Sequence, residues 1–158
     1  KGLSHLALVS LFPIYTLAGI GAMVLTGLAL DRFGTARLIP FYQLPLVLAF
    51  AVFGLATSLV HVGVGLVLFG LMTGANAVLP NAFWAEFYGT GHIGSIKAMA
   101  AAVMVLGSAI GPGLTGVLID AGVGLEAQYL GVAGYFVFAS GMMWIGISRS
   151  RSALPALA

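Results

Sequence analysis

The chain has 158 residues, of which 61% are hydrophobic and only 6% are charged, and its formal net charge is +2. A soluble domain needs about 25% charged residues to solvate its surface, so lipid must be the solvent for most of this surface. The small net charge argues against a nucleic-acid partner. The absence of cysteine excludes disulfides, thiolate metal sites and cysteine nucleophiles.

Five stretches are long and apolar enough to cross a hydrocarbon core, which takes about 20 residues of helix. Their interiors contain no Lys, Arg, Asp or Glu, and short breaks rich in turn-forming residues separate them. Short breaks make successive helices antiparallel. We therefore predict an all-α integral membrane protein in which residues 1–147 form one bundle. Its five spans are Leu6–Leu30, Leu38–Leu59, Val62–Ala85, Ala98–Ile119 and Tyr129–Ile147.

The basic residues predict an orientation. The breaks after the second and fourth spans contain no Lys or Arg, and Lys1 at the outer end of the first span is the exception. By the positive-inside rule we expect a multi-pass protein of the cell (inner or plasma) membrane with its C-terminal tail, residues 148–158, in the cytoplasm. Five basic residues follow the first, third and fifth spans: Arg32, Arg37, Lys97, Arg149 and Arg151.

The break after the first span carries a motif. Residues Gly27–Arg37 read Gly-Leu-Ala-Leu-Asp-Arg-Phe-Gly-Thr-Ala-Arg. This resembles the loop signature of the major facilitator superfamily, Gly-x-x-x-Asp-Arg/Lys-x-Gly-Arg/Lys-Arg/Lys, which joins helices two and three and recurs more weakly between helices eight and nine. The last two basic positions are Thr35 and Ala36, with Arg37 one place later. The matching positions are Gly27, Asp31, Arg32 and Gly34.

Two further segments resemble the same family in the same order. Residues 107–116, Gly-Ser-Ala-Ile-Gly-Pro-Gly-Leu-Thr-Gly, are similar to the Gly-Pro-Gly runs of helices five and eleven. Residues 85–96 are similar to the loop between helices ten and eleven of prokaryotic members. The resemblance identifies the spans as helices eight to twelve, a partial C-terminal six-helix bundle. It implies secondary active transport of a small molecule by alternating access, with no cofactor.

The chain is also expected to be a fragment. It begins at Lys1 rather than Met and shows no signal-peptide pattern. An odd number of spans places its ends on opposite sides of the membrane. We therefore expect its partner to be the N-terminal half of the same polypeptide, and we expect no transport from this chain alone.

The loop motif suggests a latch between the two halves. In the family, the carboxylate of this loop faces the N-terminal end of a helix from the other half, where partial positive charge gathers, and the resemblance implies this role for Asp31. Glu86 is the only acid within plausible reach of Arg32 or Arg37, so we predict that it pairs with one of them. The alternative is a solvated turn whose arginines only anchor the topology.

Glycines in the fourth span predict close packing or flexibility. Gly107 and Gly111 stand one turn apart on one face and permit close helix approach. Pro112, followed by Gly113, removes a backbone donor and should bend the helix. This run is either a flexible element of alternating access or plain tight packing. The same alternatives apply to a pair in the third span, Gly70 and Gly74.

Polar residues at mid-membrane depth are costly unless they meet a partner or water. The resemblance places the first, third and fourth spans around a central cavity and the second and fifth outside it. The alternative for each polar residue is an interhelical hydrogen bond worth about 0.6 kcal/mol. The candidates for lining the cavity are Tyr15, Thr16, Thr73, Asn76 and Ser108.

No Lys, Arg, Asp or Glu lies at mid-membrane depth. The substrate is therefore neutral or apolar, unless the missing half supplies an ionisable group. The three histidines lie at different span ends and suggest no metal site, and no catalytic pattern is present. Two other classes stay open: a stand-alone small membrane protein, such as a channel or assembly subunit, and a membrane-embedded enzyme. The lack of ionisable residues at depth counts against the enzyme.

Overall fold

The computed structural model describes residues 5–150, and all regular secondary structure within that range is helical. Residues 1–4 and the predicted tail from residue 151 onward lie outside the described range. The helices are α1 His5–Val9, α2 Phe12–Phe33, α3 Thr35–Leu38, α4 Leu44–Leu55, α5 Leu59–Tyr88, α6 Ile93–Asp120 and α7 Leu125–Ser150.

Four helical stretches in the described range are long and apolar enough to cross a membrane. The first joins α1 to α2 through one turn, in which the Leu11 N–H donates to the Leu8 carbonyl at 3.2 Å. These stretches correspond to the first, third, fourth and fifth predicted spans, and they indicate a multi-pass membrane protein. Their bounds are Leu6–Phe33, Leu59–Tyr88, Ile93–Asp120 and Leu125–Arg149.

The second predicted span, Leu38–Leu59, takes a different form. Its helix α4 has 12 residues, which is about 18 Å at 1.5 Å per residue and shorter than a hydrocarbon core of about 30 Å. Pro40 and Pro45 have no N–H to donate to a preceding turn, so hydrogen-bonded turns replace regular helix between α3 and α4. In these turns the Tyr42 N–H donates to the Leu38 carbonyl at 3.0 Å. A fifth full-length span stays a prediction.

Small residues bring α2 and α5 into close contact. A Cβ placed on Gly74 would lie 2.2 Å from the Gly19 carbonyl oxygen and 2.8 Å from Ala22 Cβ. A Cβ placed on Gly70 would lie 2.5 Å from the Tyr15 carbonyl oxygen. Only glycine allows the two backbones to approach this closely. Of the two alternatives for this glycine pair, tight packing describes the observed contact.

Aromatic rings hold α4 between α5 and α7. The Phe50 ring of α4 stacks on Phe136 of α7, with centroids 6.1 Å apart and an interplanar angle of 11°. It also lies 5.9 Å from the Tyr129 ring and 6.3 Å from the Phe69 ring of α5. The helices therefore pack side by side in the order α2, α5, α4, α7.

Helix α6 stands outside this row. None of its residues is buried, and short loops with a left-handed glycine join it to its neighbours, Gly89 with φ 71° and Gly122 with φ 85°. A Cβ added to any of the glycines in the predicted packing run would meet nothing within 4 Å. These glycines are Gly107, Gly111, Gly113 and Gly116.

Candidate functional site

The described helices collect the basic residues at one end of the bundle. At this end α2, α3, α5 and α7 finish and α6 begins. A small core of Ile39, Leu79 and Ile147 draws the α3–α4 connection, α5 and α7 together there. We call it the basic end, and its charged side chains include Arg32, Arg37, Lys97 and Arg149.

The loop motif ends α2 on a glycine that its backbone requires. Gly34 has φ 74° and ψ 163°, and its N–H donates to the Leu30 carbonyl at 2.9 Å. This region of backbone conformation is essentially restricted to glycine, because a Cβ would collide with the chain. Gly27, by contrast, has ordinary helical geometry with open space beside it. The motif therefore contains one glycine fixed by local geometry and one that this chain alone does not explain.

Thr35 is the most informative residue of the motif. It is 2% exposed, and its hydroxyl donates a short hydrogen bond to the Glu86 carboxylate at the end of α5. Thr35 occupies a position where the signature that this segment resembles has a basic residue. The carboxylate thus joins α3 to α5 through a neutral donor.

The arginines of the motif have other surroundings. The Arg32 guanidinium lies 5.6 Å from the centre of the Phe33 ring, and Arg37 lines a cavity against α7. Neither lies within ion-pairing distance of Glu86 in the described part of the chain, so the predicted ion pair does not form in this structure. Thr35 satisfies the carboxylate in its place.

Asp31 is exposed in the last turn of α2. The carbonyl groups at a helix C-terminus gather partial negative charge, which makes this an unfavourable position for a carboxylate. Its own helix therefore offers Asp31 no stabilisation. A positively charged group from outside the helix would stabilise the Asp31 carboxylate.

Two of the predicted cavity residues meet across α2 and α5. The Tyr15 hydroxyl donates to Thr73 Oγ1 at 3.3 Å, and the Thr73 hydroxyl donates to the Phe69 carbonyl at 2.9 Å. Asn76 lies three residues beyond Thr73, on the same side of α5, and is exposed. Tyr15, Thr73 and Asn76 therefore share one polar face, which we call the Tyr15 face.

The other two candidates are satisfied within their own helices. The Thr16 hydroxyl donates to the Phe12 carbonyl at 3.1 Å. The Ser108 hydroxyl donates to the Val105 carbonyl at 2.8 Å, on the uncovered helix α6. Helix α6 continues past Pro112 to Asp120 without interruption. The structure therefore leaves Ser108 and the glycine run apart from the Tyr15 face.

Sequence reasoning missed a cavity of about 550 Å³ beside the basic end of α5. Met143 and Ile147 of α7 line one side of it. The opposite wall is aromatic, with the rings of one pair 4.4 Å apart. A sequence signal existed, because aromatic residues spaced by one and four positions fall on one side of a helix. The wall consists of Phe83, Trp84, Phe87 and Tyr88.

The described residues contain no cluster of His, Asp or Glu that could hold a metal ion. In comparisons with known proteins, no family model, no curated protein and no solved structure matches the chain. The motifs and the geometry around them are therefore the features that indicate function.

Proposed function

We propose that this chain is the C-terminal part of a major facilitator superfamily transporter, with five spans equivalent to helices eight to twelve. It would carry one wall of a central cavity and move a small molecule by rocking against an N-terminal half of the same polypeptide. In the proposed orientation the basic end faces the cytoplasm.

The one-sided packing of the bundle carries this proposal. Helices α2, α5, α4 and α7 pack side by side in that order, whereas α6 has no buried residue. On α5, the side chains of Thr73 and Asn76 are exposed. Polar groups facing lipid at this depth would be costly. A second half would cover this side and enclose water next to the Tyr15 face.

The position of Asp31 supports the same arrangement. A carboxylate in the last turn of α2 opposes the dipole of its own helix. The N-terminal end of a helix in the other half would supply the partial positive charge that α2 lacks. The exposed Asp31 is therefore suited to a contact that forms in one transport state and breaks in another.

The composition of the Tyr15 face limits the substrate. Its groups are a phenol, a hydroxyl and a carboxamide, which bind by hydrogen bonding. This wall suits a neutral or apolar substrate. A charged substrate, or coupling to protons, would require an ionisable residue in the other half.

Cysteine accessibility tests the proposal, since the chain contains no cysteine of its own. In the intact gene product, with any cysteine outside these 158 residues replaced, Thr73→Cys and Asn76→Cys are treated with a membrane-impermeant maleimide from each side in turn. Leu48→Cys and Val137→Cys are the controls, because both residues are exposed on α4 and α7, the outer helices of the proposal. We expect Thr73→Cys and Asn76→Cys to react faster than the controls. Conditions that trap one transport state should restrict their labelling to one side.

Other labelling patterns assign other functions. Reaction from both sides at once would indicate a channel. Unreactive cysteines at both test positions would place the Tyr15 face in lipid or in an interface and refute the proposed cavity.

Orientation is tested separately by fusing green fluorescent protein or alkaline phosphatase after Ser150. A cytoplasmic C-terminus gives fluorescence and no phosphatase activity, and the reverse result refutes the orientation.

A further inference from the structure

A second cavity of about 550 Å³ lies at the basic end, between the α3–α4 connection and the last turns of α7. Arg37 contributes from α3 and Phe41 from the connection that follows it, and Trp144, Ile147 and Ser148 contribute from α7. We call it the Arg37 pocket. It combines one cation, two polar donors and an apolar wall.

The charge of Arg37 has no counterion within the described residues. Glu86, the acid predicted to pair with Arg32 or Arg37, accepts a hydrogen bond from the Thr35 hydroxyl instead. Arg37 is the last residue of the motif and lies in α3, where the chain turns back from the basic end. A guanidinium at a membrane boundary without a carboxylate partner attracts anions from its surroundings.

The donors of the pocket match a phosphate group. A guanidinium offers parallel N–H groups that fit phosphate oxygens in a bidentate arrangement. Trp144 lines the same pocket and carries an indole N–H donor, and the Ser148 hydroxyl, which now donates to the Ile145 carbonyl at 2.9 Å, can turn toward a stronger acceptor. The pocket carries no acidic side chain that would repel an anion.

The exposed apolar wall distinguishes a lipid from a soluble anion. Phe41 is 57% exposed and Trp144 is 62% exposed. Tryptophan is typical of the membrane–water boundary, where its ring contacts acyl chains and its N–H faces the headgroups. A soluble phosphate would leave this apolar surface uncovered, whereas a phospholipid would cover it.

We propose that the Arg37 pocket binds an anionic phospholipid. Arg37 holds the phosphate, Trp144 and Ser148 donate to it, and an acyl chain lies over Phe41. This inference rests on membrane residence and on the pocket, so it stands independently of the transport function. The bound lipid would join the α3–α4 connection to the end of α7.

The fluorescence of Trp144 measures lipid contact with the pocket. The chain contains two tryptophans, so the Trp84→Phe variant has Trp144 as its only tryptophan. This variant of the 158-residue chain is reconstituted in nanodiscs containing brominated phosphatidylglycerol or brominated phosphatidylcholine at low salt. Bromine quenches indole fluorescence on close contact. We expect Trp144 quenching to favour phosphatidylglycerol about fivefold, the selectivity of one basic side chain near an anionic headgroup.

Variants separate this site from the general charge of the basic end. Arg37→Gln should abolish the preference and Arg37→Lys should retain most of it, while Arg32→Gln, an equal loss of charge outside the pocket, should leave it intact. Equal quenching by the two lipids, or equal effects of Arg37→Gln and Arg32→Gln, would overturn the proposal. Displacement of the lipid by inorganic phosphate, but not by chloride at matched ionic strength, would assign the pocket to a soluble phosphate and also overturn it.

Discussion

Gly74→Ala is the substitution whose effect the structure specifies most closely. The new Cβ would stand 2.2 Å from the Gly19 carbonyl oxygen, where ordinary contact begins at 3.4 Å, so α2 and α5 must separate by about 1.2 Å at this point. The opposing atoms include backbone, which cannot move aside as a flexible side chain does. Overpacking costs about 1–3 kcal/mol, and we expect the upper end here. Alanine returns about 1 kcal/mol of helix propensity, which leaves a net loss of about 2 kcal/mol.

The matched control is Gly107→Ala on α6, where the added Cβ meets nothing within 4 Å. It should be neutral or stabilising by up to about 1 kcal/mol. Thermal unfolding of both variants in the same detergent measures the difference. At about 2–4 °C per kcal/mol for a chain of this size, Gly74→Ala should melt about 4–8 °C below the unsubstituted chain. Equal melting temperatures for the two variants would refute the close crossing of α2 and α5.

Three further predictions concern the motif and the Tyr15 face, and thermal unfolding tests each of them. Gly34→Ala and Gly34→Asn should both cost about 1–3 kcal/mol, because this backbone region excludes even asparagine; full stability of Gly34→Asn would place the residue in an ordinary left-handed turn. Thr35→Val should cost about 1–2 kcal/mol through the lost hydrogen bond to Glu86, while Thr35→Ser keeps it, and equal stability of the two would show the bond to be unimportant. A double-mutant cycle of Tyr15→Phe and Thr73→Val should give a coupling of about 0.6 kcal/mol, and a value of zero would mean that the two hydroxyls do not interact.

The class of the protein could be predicted from its sequence. Mean hydropathy and the scarcity of charge decide that lipid is the solvent. In that solvent each segment must satisfy its own backbone hydrogen bonds, so long apolar stretches become helices regardless of their neighbours. Four of the five predicted spans correspond to long apolar helices for this reason. The antiparallel order and the common end of the basic residues follow from the short breaks.

The form of the second span was not predictable from apolar length. Pro40 and Pro45 remove two backbone donors, and the chain accommodates them with turns between α3 and the 12-residue α4. Packing of the Phe50 ring between rings of α5 and α7 holds α4 in place. The prolines therefore limit the extent of regular helix locally, whereas contacts between distant parts of the chain fix the position of α4.

Some features of the candidate site could be predicted from the sequence, and others depend on the tertiary structure. The sequence pattern marked Gly34 as a position of the loop motif, and it left the polar groups at mid-membrane depth with two alternatives, lining a cavity or interhelical hydrogen bonding. Only the tertiary structure decided that Thr35 rather than an arginine satisfies Glu86, and that Gly74 rather than Gly107 lies at a close helix crossing. Both outcomes depend on which helix faces which, and helix-forming hydrogen bonds, being local, do not determine that choice.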